Sequence, residues 1–189
     1  MQGLVTLLPQ PYHDQVKLLW QGLEDRFGLS YIRATPQPHF SWQIGESYQL
    51  AEAKRQLSRL VRNLPAFEVR VKGVAFFPGP LPVLYLKVVR SQKLMDLHYR
   101  LWGLLTPLTE QPHPYYAPKV WHPHITLAMN DLSPSALPEV TGWVDQFKVD
   151  WEFECANFTI LGQYADGIAC EQVCFECGKG LISSNVCDQ

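Results

Sequence analysis

The sequence has no run of basic residues and almost no net charge. Sixteen Lys and Arg residues stand against 18 Asp and Glu residues, which leaves a formal charge of −2 and a pI near 6.3. Proteins that hold long nucleic acid regardless of its sequence concentrate positive charge along the phosphate backbone. The composition argues against that class. A nucleic-acid ligand, if there is one, is expected to be a nucleotide, a short oligomer or a strand end.

Long apolar runs and a leader are missing as well. No stretch approaches the ~18 apolar residues that a membrane-spanning helix needs, because Lys87 interrupts the best candidate, residues 82–89. Residues 1–9 lack the basic region and the small-residue cleavage site of a signal peptide. We therefore expect a cytoplasmic protein that makes no contact with membranes.

Cysteine is scarce, and the five cysteines are an odd number, which favours reduced thiols over a disulfide framework. Cys170, Cys174 and Cys177 have a spacing that suggests zinc, but they lie in an alternating segment that no second cluster faces. A structural zinc ion usually takes four ligands. We interpret these cysteines as small apolar residues on a strand, and we expect neither a metal nor another cofactor.

Apolar material, by contrast, is plentiful. Apolar residues make up 47% of the 189 residues and aromatic residues 12%, which is enough to bury a core and excludes disorder as the main state. The length suits one compact domain or two small, closely packed lobes.

Hydrophobic periodicity predicts the order strand, helix, strand, strand twice. A strand and a helix open the chain, a proline-rich loop divides it, and His98 lies on a helix surface where it is expected to be solvated. The predicted strands are residues 4–8, 39–45, 67–77, 83–89, 122–129, 151–161 and 168–175, the helices are 16–27, 50–64, 94–105 and 133–147, and the loop is 106–118.

The two halves keep the same spacing. His39 and Phe67 are 28 positions apart and His124 and Phe153 are 29 apart. This internal similarity predicts an α+β fold built from a duplicated unit, in which two lobes related by a pseudo-twofold axis bring equivalent strands together. We expect one bilobal domain over residues 1–178 and a polar tail over 179–189.

The same short string stands at the equivalent point of each half. It reads Pro-His-Phe-Ser-Trp over residues 38–42 and Pro-His-Ile-Thr-Leu over 123–127. Side chains at positions i and i+2 of a strand share a face, so His39 lies beside Ser41 and His124 beside Thr126. The alternate residues point into the core. Pro suits the position before a strand, where no ladder donor is lost.

Two facing histidines suit phosphoryl chemistry on a ribose. One imidazole can take a proton from the attacking oxygen while the other gives a proton to the leaving oxygen. Ser41 and Thr126 would donate hydrogen bonds to the phosphate oxygens, where negative charge builds up. The residues do not indicate which of His39 and His124 is the base and which the acid, and the scheme requires no metal.

The paired His-x-[Ser/Thr] strings in a duplicated α+β chain resemble the 2H phosphoesterase superfamily, which includes bacterial 2′-5′ RNA ligases and cyclic nucleotide phosphodiesterases. The resemblance implies two antiparallel sheets around a central cleft with helices outside, catalysis by His39 and His124, and phosphate binding by Ser41 and Thr126. It implies action on 2′,3′-cyclic phosphates or 2′-5′ linkages without metal. The second string matches the family pattern fully, whereas Met129 and Asn130 stand where ligases often carry a basic residue.

Several residues outside the two strings could also contact the substrate. Tyr115 and Tyr116 could stack on a base, and Lys119 could meet a phosphate, although ordinary loop packing explains the tyrosines equally well. Gln43 shares the face of His39 and either touches substrate or ends in solvent. His122 is interpreted as a rim residue rather than as a metal ligand.

The leading hypothesis is a monomeric phosphodiesterase that acts on a small nucleotide or an RNA-end phosphoester. The alternative is a module of the same fold that binds nucleotides or RNA ends with little or no turnover. A purely structural domain, in which neither histidine borders a cleft, is the third possibility.

Overall fold

A computed structural model describes residues 1–163 and 169–184 of the chain. It contains four helices of two turns or more and eleven strands within that part. The helices are α1 (Tyr12–Phe27), α2 (Leu50–Arg62), α3 (Gln92–Leu105) and α4 (Leu137–Asp145). The strands are β1 (Gln2–Leu7), β2 (His39–Gly45), β3 (Ser47–Tyr48), β4 (Phe67–Phe77), β5 (Val83–Val88), β6 (Thr109–Glu110), β7 (His124–Ala128), β8 (Asp150–Cys155), β9 (Asn157–Gln163), β10 (Ala169–Glu176) and β11 (Gly180–Ser184).

Two antiparallel sheets form the framework, and the α+β prediction is confirmed. One sheet has five strands in the order β11-β10-β9-β1-β2, and the other has four in the order β7-β5-β4-β8. Helix α2 packs against β10 and β11 of the larger sheet, whereas α1 and α4 contact β7 and β4 of the smaller one. Strands β3 and β6 pair as a short two-stranded ribbon. β3 lies in the segment before α2, and β6 lies within the predicted proline-rich loop.

The two lobes are not the two halves of the sequence. The chain places β2 in the five-stranded sheet and then crosses to the four-stranded sheet for β4 and β5. It places β7 in the four-stranded sheet and then crosses back for β9 and β10. Each half of the sequence therefore contributes to both sheets, and β2 and β7 become the outer strands that face each other.

The strand predicted over residues 151–161 is wrong in one respect, because it is two strands. The chain leaves β8, the neighbour of β4, at Cys155 and enters β9, the neighbour of β1, at Asn157. The apolar pattern continues through Ala156, so it gives no sign that the chain changes sheets there. The crossover is a tertiary feature that local periodicity does not encode.

Two smaller expectations are also corrected, and a third falls outside the described residues. Helix α4 begins at Leu137, while Ser133 accepts a hydrogen bond from the amide of Ala136 (3.2 Å) and so caps only the turn before it. Residues 180–184 are not a polar tail, because they pair with β10 as strand β11; residues 185–189 lie outside the described residues. The predicted strand start at Ile168 also lies outside them.

The cysteines behave in two ways. Cys155, Cys174 and Cys177 are free thiols. Cys170 is disulfide-bonded, so the expectation that all the cysteines are reduced is wrong for this residue. Burial raises the pKa of the Cys155 thiol to about 12, which keeps it protonated and unreactive.

Buried apolar side chains of both sheets form one continuous cluster. At its centre the Trp42 ring lies 5.4 Å from the Trp121 ring and 5.5 Å from the Phe158 ring. His98 is fully buried rather than solvated: its ring stacks on Trp121 at 3.7 Å, and its Nε2 donates to the Trp42 carbonyl. Burial lowers the pKa of His98 to about 4, so it stays neutral at physiological pH.

No helix in the described residues is long and apolar enough to cross a membrane.

Helices α1 and α4 approach closely at Gly22. A Cβ added there would lie 2.8 Å from Cζ2 of Trp143, whereas Gly103 in α3 has nothing within 4 Å of such an atom. We expect Gly22→Ala to lower the free energy of unfolding by about 1–3 kcal/mol through overpacking. The matched variant Gly103→Ala should raise it by roughly 0.5–1 kcal/mol through helix propensity. Urea titrations would measure both, and stabilisation by Gly22→Ala would contradict the close packing of the two helices.

Candidate active site

The two histidine motifs lie on the outer strands of the two sheets. β2 ends the five-stranded sheet, β7 ends the four-stranded sheet, and the two strands contact each other. The proline before each motif is held in the same way, because the Pro38 carbonyl accepts from the Leu8 amide (2.9 Å) and the Pro123 carbonyl from the Val88 amide (3.2 Å). The duplicated strings therefore occupy equivalent places on either side of one cleft.

Strand alternation separates packing residues from polar ones. Phe40, Trp42, Ile125 and Leu127 are fully buried. The histidine that begins each motif is only half-buried, so it keeps access to the space between the sheets. The bulky residues of each motif anchor its strand in the core, and the polar residues stay on the opposite face.

Backbone carbonyls orient both imidazoles in the same way. Nδ1 of His39 lies 2.7 Å from the Gln37 carbonyl oxygen, and Nδ1 of His124 lies 2.6 Å from the His122 carbonyl oxygen. A carbonyl oxygen only accepts, so each Nδ1 carries the proton that it donates. In the neutral rings Nε2 then holds the lone pair. Both histidines are thus ready to accept or give a proton at Nε2.

Burial lowers the pKa of both histidines below the ordinary value of 6.5, and the carbonyl bonds only partly offset it. The charge of His124 lowers the pKa of His39 further, and the charge of His122 lowers that of His124. Because such an interaction is reciprocal, protonation of either ring disfavours protonation of the other.

Two tryptophan N–H groups fix the backbone at the hydroxyl residue of each motif. Nε1 of Trp121 donates to the Ser41 carbonyl (3.0 Å), and Nε1 of Trp20 donates to the Thr126 carbonyl (3.0 Å). Both strands are outer strands, so these carbonyls would otherwise lack partners. Sequence reasoning missed both tryptophans, since neither lies within a motif and α1 precedes β7 by about 100 residues along the chain.

The hydroxyl groups have different surroundings. Ser41 is 9% exposed and lies within hydrogen-bonding reach of the Tyr116 hydroxyl, whose pKa is raised by burial to about 12. Thr126 is half-buried and sits opposite Tyr85 in the ladder between β5 and β7. The structure therefore brings Tyr116 to the first motif.

An aromatic wall flanks His124. The rings of Phe77 and Tyr85 lie 5.0 and 5.1 Å from its imidazole and 4.3 Å from each other. His122 is exposed at the rim, as expected, and its Nδ1 donates to the Val120 carbonyl. Phe77 was not singled out from the sequence; it lies on β4, and the antiparallel ladder with β5 alone places it here.

Three predicted accessory residues do not join this cluster. Tyr115 is 76% exposed and contacts His113 instead. Lys119 is exposed at the end of the same loop. Gln43 is fully buried, where its side chain bonds the hydroxyls of Thr106 and Thr109. The expectation that Gln43 ends in solvent is therefore wrong.

Within residues 1–163 and 169–184, no three His, Cys, Asp or Glu side chains lie close enough together to hold a metal ion. The free cysteines among them, Cys174 and Cys177 included, do not form such a group.

Sequence comparison finds one matching family profile and relatives that are named as putative phosphoesterases. The sequence profile described as "2'-5' RNA ligase superfamily" matches residues 11–167. The Oceanobacillus iheyensis protein named "Putative phosphoesterase OB1230" is 23% identical over 177 residues, covering 87% of this chain and 97% of its own. A Bacillus pumilus protein named "Putative phosphoesterase" is 29% identical over 119 residues, covering 63% of this chain and 65% of its own.

Solved structures share the fold. TT0787 of Thermus thermophilus has a TM-score of 0.66 at 18% identity, covering 94% of this chain and 97% of its own. E. coli LigT in complex with 3′-AMP has a TM-score of 0.58 at 15% identity, covering 93% and 96%. At this level of identity the likeness concerns the fold alone.

The coupling between the two imidazoles can be measured by NMR. We expect His39 and His124 to titrate below pH 6.5 in the free protein, with the neutral rings protonated at Nδ1. His124→Gln removes the charge that lowers the pKa of His39, so that pKa should rise. His113→Gln, in the exposed loop, is the control and should leave it in place. An unchanged His39 titration in His124→Gln would contradict the facing arrangement.

Proposed function

This chain belongs to the 2′-5′ RNA ligase superfamily, and we propose that it is a phosphodiesterase that opens ribose 2′,3′-cyclic phosphates or cleaves 2′-5′ linkages at nucleotide or RNA ends. The family and its relatives support phosphoesterase activity in general. The more specific proposal is supported above all by one observation: two imidazoles on facing strands, each with Nδ1 bonded to a backbone carbonyl.

The proposed reaction uses the two Nε2 atoms in opposite senses. A water oxygen attacks the cyclic phosphorus, and Nε2 of the unprotonated histidine takes the water proton. The new P–O bond forms as the bond from phosphorus to one ribose oxygen breaks. Nε2 of the protonated histidine gives its proton to that leaving oxygen. The diester becomes a monoester, and the enzyme ends with its two protonation states exchanged.

Phosphate binding supplies the protonation state that this scheme needs. In the free protein the lowered pKa values favour two neutral rings at pH 7. A phosphate anion between the rings favours the charged form of an imidazole, so substrate raises the pKa values and loads one proton. Because the rings repel each other when both are charged, the singly protonated state is the one that accumulates.

The hydroxyls of Ser41 and Thr126 are proposed to donate to the non-bridging phosphate oxygens. Each sits two residues from a histidine on the same face of its strand, and each is held in place by a tryptophan bond to its backbone carbonyl. Donors fixed before the reaction stabilise charge in the transition state without reorganisation. Tyr116, beside Ser41, is proposed to contact the substrate as well.

Small nucleotides are the proposed ligands. LigT structures of this fold hold 3′-AMP and ATP, and the weak net charge of this chain offers no long path for a polymer. Tyr115 and Lys119 would contact only a longer substrate. A monomer in the cytoplasm, acting without a metal cofactor, stays a prediction from the sequence.

Hydrolysis of adenosine 2′,3′-cyclic phosphate in EDTA tests the proposal. The wild-type protein should convert it to a monophosphate, and His39→Ala and His124→Ala should each lower kcat at least ~100-fold, since general acid–base catalysis contributes about 10²–10⁴-fold. His113→Ala, an exposed histidine, is the matched control and should keep full activity. Adenylyl-(2′-5′)-adenosine is assayed in parallel to define the linkage.

Three results would contradict the proposal. Wild-type rates in the double variant His39→Ala with His124→Ala would exclude the two-histidine mechanism. The binding module would be favoured instead if the wild-type protein bound the nucleotide tightly and formed no product over hours. In that case Ser41→Ala with Thr126→Ala would abolish the binding. Loss of activity in EDTA with recovery on added metal would overturn the metal-independent scheme.

A further inference from the structure

A cavity adjoins His124 on the face of the four-stranded sheet that carries this histidine. It has a volume of about 370 Å³, and its wall includes Lys72, Lys87, Arg90, His122 and Tyr85. Tyr85 also packs against His124, and Lys87 sits directly opposite His124 in the ladder between β5 and β7. Directly opposed residues in an antiparallel pair lie about 5 Å apart. The cavity is therefore one side chain away from the proposed reaction centre.

Positive charge in this cavity is largely uncompensated. Its described lining contains three cationic side chains and no Asp or Glu. Lys87 and Arg90 form no ion pair with a carboxylate of residues 1–163 or 169–184; Arg90 contacts the Met95 sulfur instead, at 3.4 Å. In a chain with net charge −2, such a cluster is a local departure from the average surface.

The carboxylate that pairs with Lys72 is already engaged by another cation. Asp150 makes two bonds of 2.8 Å with the Arg70 guanidinium, and Lys72 reaches it only at 3.6 Å. Glu152 lies 3.8 Å from Arg70 on the same side. The acidic residues of β8 thus neutralise the cationic side chains of β4. The charges of Lys87 and Arg90 remain available to an anion.

Local backbone geometry helps to place Lys87. β4 has an irregular register between Val71 and Val74, and Gly73 at that point has a φ of +70°, which favours glycine. The Lys87 side chain lies over this glycine, since a Cβ there would be 3.5 Å from its Cε. The bulge thus gives the lysine a surface along which its stem packs.

We propose that this cationic cavity binds a second phosphate group of the substrate, next to the phosphate held between His39 and His124. Lys and Arg side chains position phosphates in this way without reading base identity. The inference rests on the proposed function, because it takes the first phosphate to lie between the two histidines. The preferred ligand is then a nucleotide bearing two phosphates or an oligonucleotide end, rather than a nucleoside with one.

Equilibrium binding tests this without turnover. The probes are adenosine 3′-monophosphate, adenosine 3′,5′-bisphosphate and the dinucleotide ApA with a 3′-phosphate, measured by calorimetry at low salt. We expect the wild-type protein to bind at least one two-phosphate probe about tenfold more tightly than the monophosphate, with an advantage that shrinks as salt is raised. Lys87→Gln with Arg90→Gln should remove most of that advantage.

Arg26→Gln, which removes an exposed charge from α1, is the control and should keep the advantage. Tighter binding of the bisphosphate alone would place the second phosphate on the same nucleotide, and tighter binding of the dinucleotide alone would place it on the neighbour. Equal binding of all three probes, or an advantage that survives the double variant, would overturn the proposal. If the protein shows the expected binding preference but does not hydrolyse the cyclic phosphate, only the catalytic proposal is rejected.

Discussion

The bond from the Trp121 indole to the Ser41 carbonyl joins the two sheets at the point where the motifs meet. Trp121 precedes β7, yet its ring is buried against Trp42 of β2 and His98 of α3. Its N–H group satisfies a carbonyl on an outer strand, where an unpaired buried acceptor would cost about 1–3 kcal/mol. Trp20 does the same for Thr126 from within its own lobe. The Trp121 bond is thus a direct link between the motif strands, because β2 and β7 are not hydrogen-bonded to each other in a ladder.

Crossing of the chain between sheets gives this arrangement its symmetry. Each half of the sequence places its motif strand in one sheet and a later pair of strands in the other, so each sheet contains strands from both halves. Both imidazoles then meet a carbonyl two residues earlier in the chain, and both lose some of their affinity for protons through burial. The two rings are therefore held alike in the free protein, and in the proposed reaction it is the bound substrate that makes one ring an acid and the other a base.

Much of this could be read from the sequence, for identifiable reasons. In the strands that carry His39 and His124, polar and apolar residues alternate strictly. The matching spacing of the two halves predicted that these strands are equivalent. The role of Trp121, the burial of His98 and Gln43, and the break between β8 and β9 could not be read in the same way. Each depends on a partner more than 20 residues away in the chain or in the other sheet, and local periodicity carries no record of such partners. The disulfide at Cys170 likewise lay beyond what an odd cysteine count can predict.

The central claim is that one phosphate lies between the two histidines and contacts both hydroxyls. A crystal structure of the protein with adenosine 3′-monophosphate tests it most directly. We expect phosphate oxygens within hydrogen-bonding distance of Nε2 of His39, Nε2 of His124 and the hydroxyls of Ser41 and Thr126. A phosphate bound away from both imidazoles, or reached by only one motif, would contradict it.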